Sequence, residues 1–210
     1  MAAHPPPERS TTPPPPPSTS SSSNAHPLLT PWALWFCPNM TPDMMKLGYD
    51  VATKQYTKLI DKMHSIEEMW SFVNALPPTT KIGTGNTIMY FREGYPPFWE
   101  DSAWKATTPP KGGRIIFKLD PVKEGDEFIN HVLMHVLGEL AAHTLQCGPI
   151  ICGIKAVRRE TKKEDFVKLE LWLTESSFNS KLQEYFFEVG RSVGVHNLAN
   201  AGNCEIKGFE

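Results

Sequence analysis

The sequence lacks any long apolar run, and it has neither a signal-peptide core after Met1 nor a glycine at position 2. A helix needs about 20 consecutive apolar residues to span a bilayer, and N-myristoylation requires a glycine at the second position. These absences exclude a membrane span, a secretory leader and a myristoyl anchor. We therefore expect a soluble protein of the cytoplasm, with the nucleus as a further compartment.

Cysteine is scarce, and the four residues Cys37, Cys147, Cys152 and Cys204 form neither a C-x-x-C motif nor paired zinc spacing. Structural zinc sites in small domains normally show one of these spacings. Since the chain also lacks a secretory leader, the cysteines are expected to be reduced thiols.

Catalytic motifs are absent as well: the chain has no P-loop, dinucleotide-binding fingerprint or nucleophile elbow. We expect no enzymatic activity and no cofactor. His131, His135, Glu139 and His143 recur every four residues, but no further metal ligand stands at a fixed spacing from them. This strip is interpreted as the polar outer face of an amphipathic helix, and no metal site is predicted.

Residues 1–25 form a segment of proline, serine and threonine with almost nothing to bury, which predicts a disordered tail. Residues 26–210 are enough for one domain with a core. The strand patterns follow one another in hairpin order, with helices inserted as separate blocks, and this order predicts an α+β domain with a curved antiparallel sheet backed by helices on one face. The predicted strands are 32–37, 55–63, 87–93, 113–120, 150–159, 166–174 and 205–209, and the predicted helices begin at Ile66, Asp126 and Asn179.

Trp99 and Glu100 follow Pro96 and Pro97, which keep this segment out of a helix. A flat aromatic ring beside a carboxylate suits a planar cation with paired N–H donors. An N7-methylated guanine is such a ligand, because its positive ring stacks well on indole and its N1–H and N2–H can both donate to one carboxylate. The alternative is a buried tryptophan beside an ordinary surface glutamate.

The stretch 166–173 has a clear two-residue period. It places Lys168 and Trp172 together on the face opposite the helices, where we expect both to be exposed. Arg159, Lys162 and Lys163 precede this strand and form a basic cluster. The net charge of −2 argues against a nucleic-acid binder that ignores sequence, so any contact with nucleic acid is expected to be local. A solvated hairpin tip of mixed charge is the alternative.

Three groups of residues occur in order and resemble the eukaryotic translation initiation factor 4E family, which binds the mRNA 5′ cap. The groups are His26-Pro27-Leu28 with Trp32-Ala33-Leu34-Trp35-Phe36, then Phe98-Trp99-Glu100-Asp101 with Gly112-Gly113-Arg114, then Cys152-Gly153 leading to Arg159, Lys168 and Trp172. The resemblance runs from His26 to the C-terminus. It implies a cupped sheet of about six to eight strands with three helices on the convex face. The long first loop and the Pro/Ser-rich tail resemble trypanosomatid members of the family.

The resemblance implies roles for nine residues in binding the cap, as 7-methyl-GTP or capped mRNA. Trp99 resembles the residue that stacks on one side of the guanine in the family's aromatic sandwich, and Glu100 resembles the carboxylate that binds the guanine N–H groups. Trp172 resembles the tryptophan that touches the N7-methyl group. The phosphates are assigned to Arg159 and Lys168, with Arg114, Lys162 and Lys163 in support. The second aromatic wall departs from the family, since no tryptophan lies between Trp35 and Trp70; Tyr49 is the preferred candidate, with Met44, Met45 and Tyr56 as alternatives.

The resemblance also implies a dorsal surface, which we define as His26, Pro27, Ile66, Trp70, Gly138 and Glu139. In the family this surface takes a helical peptide from a 4G-type scaffold or a 4E-binding repressor. Asn130, with His131 beside it, stands where the family has a leucine on the long helix, so a related but altered partner is expected. The implied protein is a monomer that recruits the scaffold for translation initiation. The alternative function is an interaction module of the same fold with weak or no cap binding, acting as a translational regulator.

Overall fold

The structure is a computed structural model that describes residues 25–46, 49–98, 100–105, 112–162, 164–200 and 202–209. Most of the predicted tail, residues 1–24, lies outside this range. Within this described part, seven strands form one antiparallel sheet in the order β2-β1-β3-β5-β6-β4-β7. They are β1 (Pro27–Cys37), β2 (Thr57–Ser65), β3 (Thr87–Arg92), β4 (Gly113–Leu119), β5 (Ile151–Glu160), β6 (Asp165–Leu173) and β7 (Cys204–Gly208).

The helices of the described residues fall into two groups. Four lie against the sheet: α3 (Ile66–Ala75), α5 (Gly125–Leu137), α6 (Leu140–Leu145) and α7 (Asn179–Ser192). Three short ones lie in connections: α1 (Pro42–Lys46) and α2 (Tyr49–Thr53) between β1 and β2, and α4 (Ser102–Lys105) between β3 and β4. The curved antiparallel sheet with helices on one side confirms the predicted α+β class. None of these helices is long and apolar enough to cross a membrane.

Hydrogen bonds at the start of α3 explain why the sequence predicted this helix boundary correctly. The hydroxyl of Ser65 accepts the backbone N–H of Glu68 at 3.1 Å, and the carboxylate of Glu68 accepts the N–H of His64 at 2.7 Å. The first bond satisfies an N–H group that a helix N-terminus would otherwise leave unpaired, and the second joins Glu68 to the end of β2. Pro77 and Pro78 follow the last turn, so α3 ends where the sequence predicted.

The core lies between one face of the sheet and the helices. Val167, Leu169, Leu171 and Leu173 of β6 all point into it, as their alternation predicted. From the other side, α5 and α7 contribute large side chains with almost no exposure. These are Phe128, Val132, Leu133, Val136, Leu182 and Phe186.

The helix predicted over residues 126–146 is interrupted, and this part of the prediction was wrong. The backbone of Glu139 is left-handed, with φ of 57°, which ends α5 and allows α6 to begin at Leu140. Glu139 forms an ion pair at 2.6 Å with Arg92, whose side chain is only 4% exposed and lies over the ring of Trp32. Because Arg92 comes from β3, the pattern within residues 126–146 could not reveal the break.

The Arg92–Glu139 pair should matter for stability. Arg92→Met leaves the largely buried carboxylate of Glu139 without its partner, and we expect the free energy of unfolding to fall by about 3 kcal/mol. Lys62→Met is the control, because Lys62 pairs with Glu93 where both side chains are about half exposed; it should cost less than about 1 kcal/mol. Urea denaturation followed by tryptophan fluorescence measures both. Equal losses would show that burial of the pair is not the cause.

Candidate functional site

One face of the sheet is not covered by the core helices, and we call it the open face. Strand register assigns its residues, because directly paired residues share a face. Arg159 pairs with Phe166, Val157 with Lys168, and Arg114 with Trp172. The register therefore brings together four predicted site residues from three neighbouring strands, which are Arg114, Arg159, Lys168 and Trp172. Arg158 points to the other face and holds the carboxylate of Asp165 through two bonds of 2.8 and 3.1 Å.

A buried carboxylate lies at the centre of this face. Glu170 is 2% exposed, and its oxygens lie 2.6 Å from the ammonium of Lys168 and 3.3 Å from the guanidinium of Arg114. The indole N–H of Trp172 donates to the same carboxylate at 3.0 Å. Lys155 is paired with Glu170 across β5 and β6. A carboxylate with three direct contacts and a further cation nearby is a stable anion despite its burial.

The electrostatics of this group follow from the same contacts. Burial alone would raise the pKa of the Glu170 carboxyl, but the charges of Lys155, Lys168 and Arg114 together lower it to about 2. Burial lowers the pKa of the Lys155 ammonium, and the nearby Glu170 opposes that change. Lys118 adds a further cation, since it pairs with Lys168 in the register. This part of the open face is therefore basic, with the buried Glu170 as an internal counter-charge and the exposed Glu205 of β7 at its edge.

The expected exposure of Trp172 was wrong, although its face was predicted correctly. Trp172 is 2% exposed, because the rings of Phe91, Trp104 and Phe209 pack on it with centroid distances of 5.2–5.4 Å. Trp104 comes from α4, and its indole N–H donates to the carbonyl of Pro96 at 2.7 Å. Gly153 makes this packing possible, since a Cβ there would lie 2.2 Å from the ring of Phe91.

The predicted guanine reader lies in the connection between β3 and β4. Glu100 is half-buried, and the turn around it is closed by a bond of 3.0 Å from the N–H of Asp101 to the carbonyl of Phe98. Trp99 lies outside the described residues. The ring of Phe98 packs edge-on against Tyr56 and Trp35, at centroid distances of 4.7 and 6.2 Å. The segment that carries Trp99 and Glu100 is thus anchored on the end of the β1–β2 connection.

The remaining predicted cap residues are placed only in part. Tyr49 is the first residue of α2, but its side chain lies outside the described part of the structure. Lys162 is exposed in the turn between β5 and β6, and Lys163 is not described. Sequence reasoning missed Glu170, Lys155 and Trp104. Glu170 belongs to the same alternating set as Lys168 and Trp172, so the two-residue period could have placed it on the same face. Nothing in the sequence indicated where Trp104 would pack.

The dorsal surface is built around the start of α3. The carbonyl of His26 accepts the N–H of Ile66 at 2.9 Å, and the backbone N–H and imidazole of His26 contact the carboxylate of Glu67 at 2.9 and 2.6 Å. The hydrogen bond with His26 is the main cause that lowers the pKa of Glu67 to about 2. Trp70 is half-buried against the core. The structure thus fixes Ile66 beside His26.

The other end of the dorsal surface is Gly138 and Glu139, at the break between α5 and α6. A side chain at position 138 would meet the carbonyl of Met134 at 2.7 Å. The carboxylate of Glu139 is already held by Arg92. Asn130 is exposed and lines a cavity of about 280 Å³ between α3 and α5.

The histidine strip is divided between α5, which carries His131 and His135, and α6, which carries His143. His135 shares a hydrogen bond of 2.6 Å with the hydroxyl of Tyr185. Burial lowers the pKa of His135, and the neighbouring His131 adds to this. Within the part of the chain that the structure describes, no three His, Cys, Asp or Glu side chains are grouped so that they could hold a metal ion. The four cysteines carry free thiols.

Comparison with known proteins gives consistent matches. The family described as "Eukaryotic initiation factor 4E" matches residues 27–195. Initiation factor 4E-1 of Schizosaccharomyces pombe is 27% identical over 192 residues, covering 88% of this chain and 76% of the yeast protein. Initiation factor 4E1 of Drosophila melanogaster is 30% identical over 129 residues, but the match covers only 60% of this chain and 45% of the fly protein.

Solved structures share the fold at lower identity. Ascaris suum eIF4E-3 in complex with the m7G cap has a TM-score of 0.61 and 21% identity, with 87% of this chain and 90% of the Ascaris chain covered. C. elegans eIF4E-3, in complex with the 4E-binding protein Mextli and a cap analog, has a TM-score of 0.61 and 20% identity, with 87% and 91% covered. The resemblance to trypanosomatid members of the family, which are protists, stays a prediction.

The family match begins at the first residue of β1 and extends beyond the end of α7. The family consists of initiation factors and not of enzymes, in agreement with the missing catalytic motifs. This chain therefore belongs to the eukaryotic initiation factor 4E family.

Proposed function

We propose that the chain binds the 7-methylguanosine cap of mRNA on its open face and recruits a 4G-type scaffold for translation initiation in the cytoplasm. One observation carries the proposal: Lys168, Arg114 and Arg159 converge on the open face of the fold whose β3–β4 connection bears Glu100. The Ascaris protein of the same fold was solved with a methylated cap, which supports this choice of ligand.

The guanine is recognised in two ways. Trp99 stacks on the base, and the positive charge of the methylated ring strengthens this contact. Glu100 accepts the N1–H and the exocyclic N2–H, and these charge-assisted bonds distinguish guanine from adenine. Tyr49 forms the opposite wall; the contact of Tyr56 with Phe98 supports this, because it fixes the β1–β2 connection beside the Trp99 segment.

The phosphates bind to Arg159 and Lys168, with Lys162 and Lys163 reaching groups further along the chain and Arg114 in support. The exposed Arg159 and the partly exposed Lys168 share one face, which supports a common anionic ligand. Trp172 contacts the N7-methyl group in this proposal. Trp104 and Phe209 cover its ring, so this contact requires Trp104 to move.

A helical peptide with a tyrosine and two apolar anchors binds the dorsal surface of the monomer. It comes from a 4G-type scaffold or a 4E-binding repressor. The half-buried Trp70 and the fixed His26 support a preformed site, which reduces the entropy lost on binding. The exposed amide of Asn130 favours a partner with a polar group at that position.

A second candidate function is a regulator of the same fold with weak or no cap binding. The covering of Trp172 by Trp104 favours it, since a filled open face leaves less room for a base. Tryptophan fluorescence quenching by 7-methyl-GTP and by GTP separates the two functions. Strong quenching by 7-methyl-GTP alone supports the cap-binding proposal, whereas equal or absent quenching supports the regulator.

Glu100→Gln should weaken 7-methyl-GTP binding by about 10- to 100-fold, because an amide cannot accept both guanine N–H groups as a charged pair. Asp101→Asn is the matched control. Asp101 accepts the N–H of Ala103 at 2.9 Å through one oxygen, which asparagine retains, so its affinity should be unchanged. Isothermal titration calorimetry gives both values. Normal binding by the Glu100 variant would exclude it as the guanine reader.

Lys168→Ala should weaken 7-methyl-GTP binding by about five- to twenty-fold and reduce its dependence on salt, since one phosphate contact is lost. Lys181→Ala, on α7 away from the open face, serves as the control. Titrations at several concentrations of potassium chloride measure the slope. A slope unchanged by the Lys168 substitution would contradict the phosphate assignment.

Trp70→Ala should weaken the binding of a fluorescently labelled 4G-type helical peptide by at least about tenfold, because an aromatic anchor at an interface carries much of the binding energy. Cap affinity, measured by calorimetry, should stay unchanged. Glu184→Ala on the exposed side of α7 is the control for peptide binding. If Trp70→Ala lowers both affinities, the residue supports the fold and is not a partner contact.

A further inference from the structure

Glu170 is an anion placed among the cations that the proposed function assigns to the ligand's phosphates. Its carboxylate contacts Lys168 at 2.6 Å and Arg114 at 3.3 Å, and Lys155 lies opposite it in the register. The side chains of Lys168 and Arg114 remain 30% and 31% exposed. The two cations therefore lie between the buried carboxylate and the solvent from which a ligand arrives.

This arrangement has two opposing consequences for a phosphate. Glu170 holds Lys168 and Arg114 in position, which reduces the side-chain entropy that a ligand must remove. It also neutralises part of their charge and repels the phosphate directly. Because Glu170 is only 2% exposed, this repulsion is screened less than at the surface. The repulsion grows with every phosphate charge on the ligand, whereas the positioning effect does not.

We propose that Glu170 is a specificity-determining residue that competes with ligand phosphate for Lys168 and Arg114. It limits the affinity that each further phosphate adds, so the methylated base provides most of the discrimination between nucleotides. The inference rests on the proposed cap binding. It names a ligand class, 7-methylguanine nucleotides, for which a triphosphate has only a small advantage over a monophosphate.

Titration of the full chain with 7-methyl-GMP and 7-methyl-GTP tests this, with the ratio of the two dissociation constants as the readout. Glu170→Gln keeps an oxygen that can accept the indole N–H of Trp172 while removing the charge. We expect this variant to raise the preference for the triphosphate by about five- to tenfold and to steepen the salt dependence of its binding. Glu188→Gln is the control, because Glu188 is exposed on α7, on the helix side of the sheet, and is paired with Arg191.

The same ratio is measured for Lys155→Met and for the double variant Lys155→Met/Glu170→Gln. The double variant loses one cation and one anion, so its buried charges stay balanced. Adding Glu170→Gln to Lys155→Met should again raise the triphosphate preference, and the double variant should return close to the wild-type ratio. This comparison also serves if Glu170→Gln alone fails to fold. Circular dichroism identifies that case.

The outcomes separate this inference from the proposed function. If the wild-type chain binds both methylated nucleotides but the Glu170 variants leave the ratio of the dissociation constants unchanged, only the proposed role of Glu170 is overturned. A lower triphosphate preference in Glu170→Gln would also overturn it, because positioning would then outweigh repulsion. If the wild-type chain bound neither nucleotide, the proposed function and the inference would both fail.

Discussion

The antiparallel register of β5, β6 and β4 is the constraint on which the rest of the molecule depends. Side chains alternate between the two faces of a strand, so the register decides which residues face the helices and which face outward. A slip of one residue would expose the leucines of β6 and bury Lys168 against α5 and α7. The large apolar side chains on the helix side make such a slip very costly. The open face is therefore defined by the packing on the opposite side of the sheet.

The open face combines an aromatic cluster with a charged group, and the two depend on each other. Phe91, Trp104, Trp172 and Phe209 pack together, with the ring of Phe91 over Gly153, and the indole N–H of Trp172 donates to the buried Glu170. Exclusion of water strengthens the ion pairs of Glu170 with Lys168 and Arg114 but also makes an unpaired charge expensive. This explains why the buried carboxylate keeps several cationic neighbours. A phosphate-binding surface built around an internal anion differs from a purely basic patch, since its cations are already ordered and partly neutralised.

The dorsal surface is connected to the same sheet through Arg92. Its guanidinium holds Glu139 at the break between α5 and α6, while the chain after Arg92 turns into the connection that bears Glu100. Glu139 thus has a structural role in ending α5, besides its place on the proposed partner surface. His26 and Glu67 fix the other end of that surface by joining the start of β1 to the start of α3.

The sequence by itself determined the seven strands, the three main helix starts and the faces of the β6 residues. Local signals carry this information: two-residue alternation, the Ser65–Glu68 cap and the prolines after α3 depend on neighbours along the chain. Tertiary structure alone decided the break at Glu139, which needs Arg92 from β3, and the burial of Trp172, which needs Trp104 from α4. It also decided that Glu170 meets Lys155 and Arg114, because those partners come from neighbouring strands whose register no single segment records.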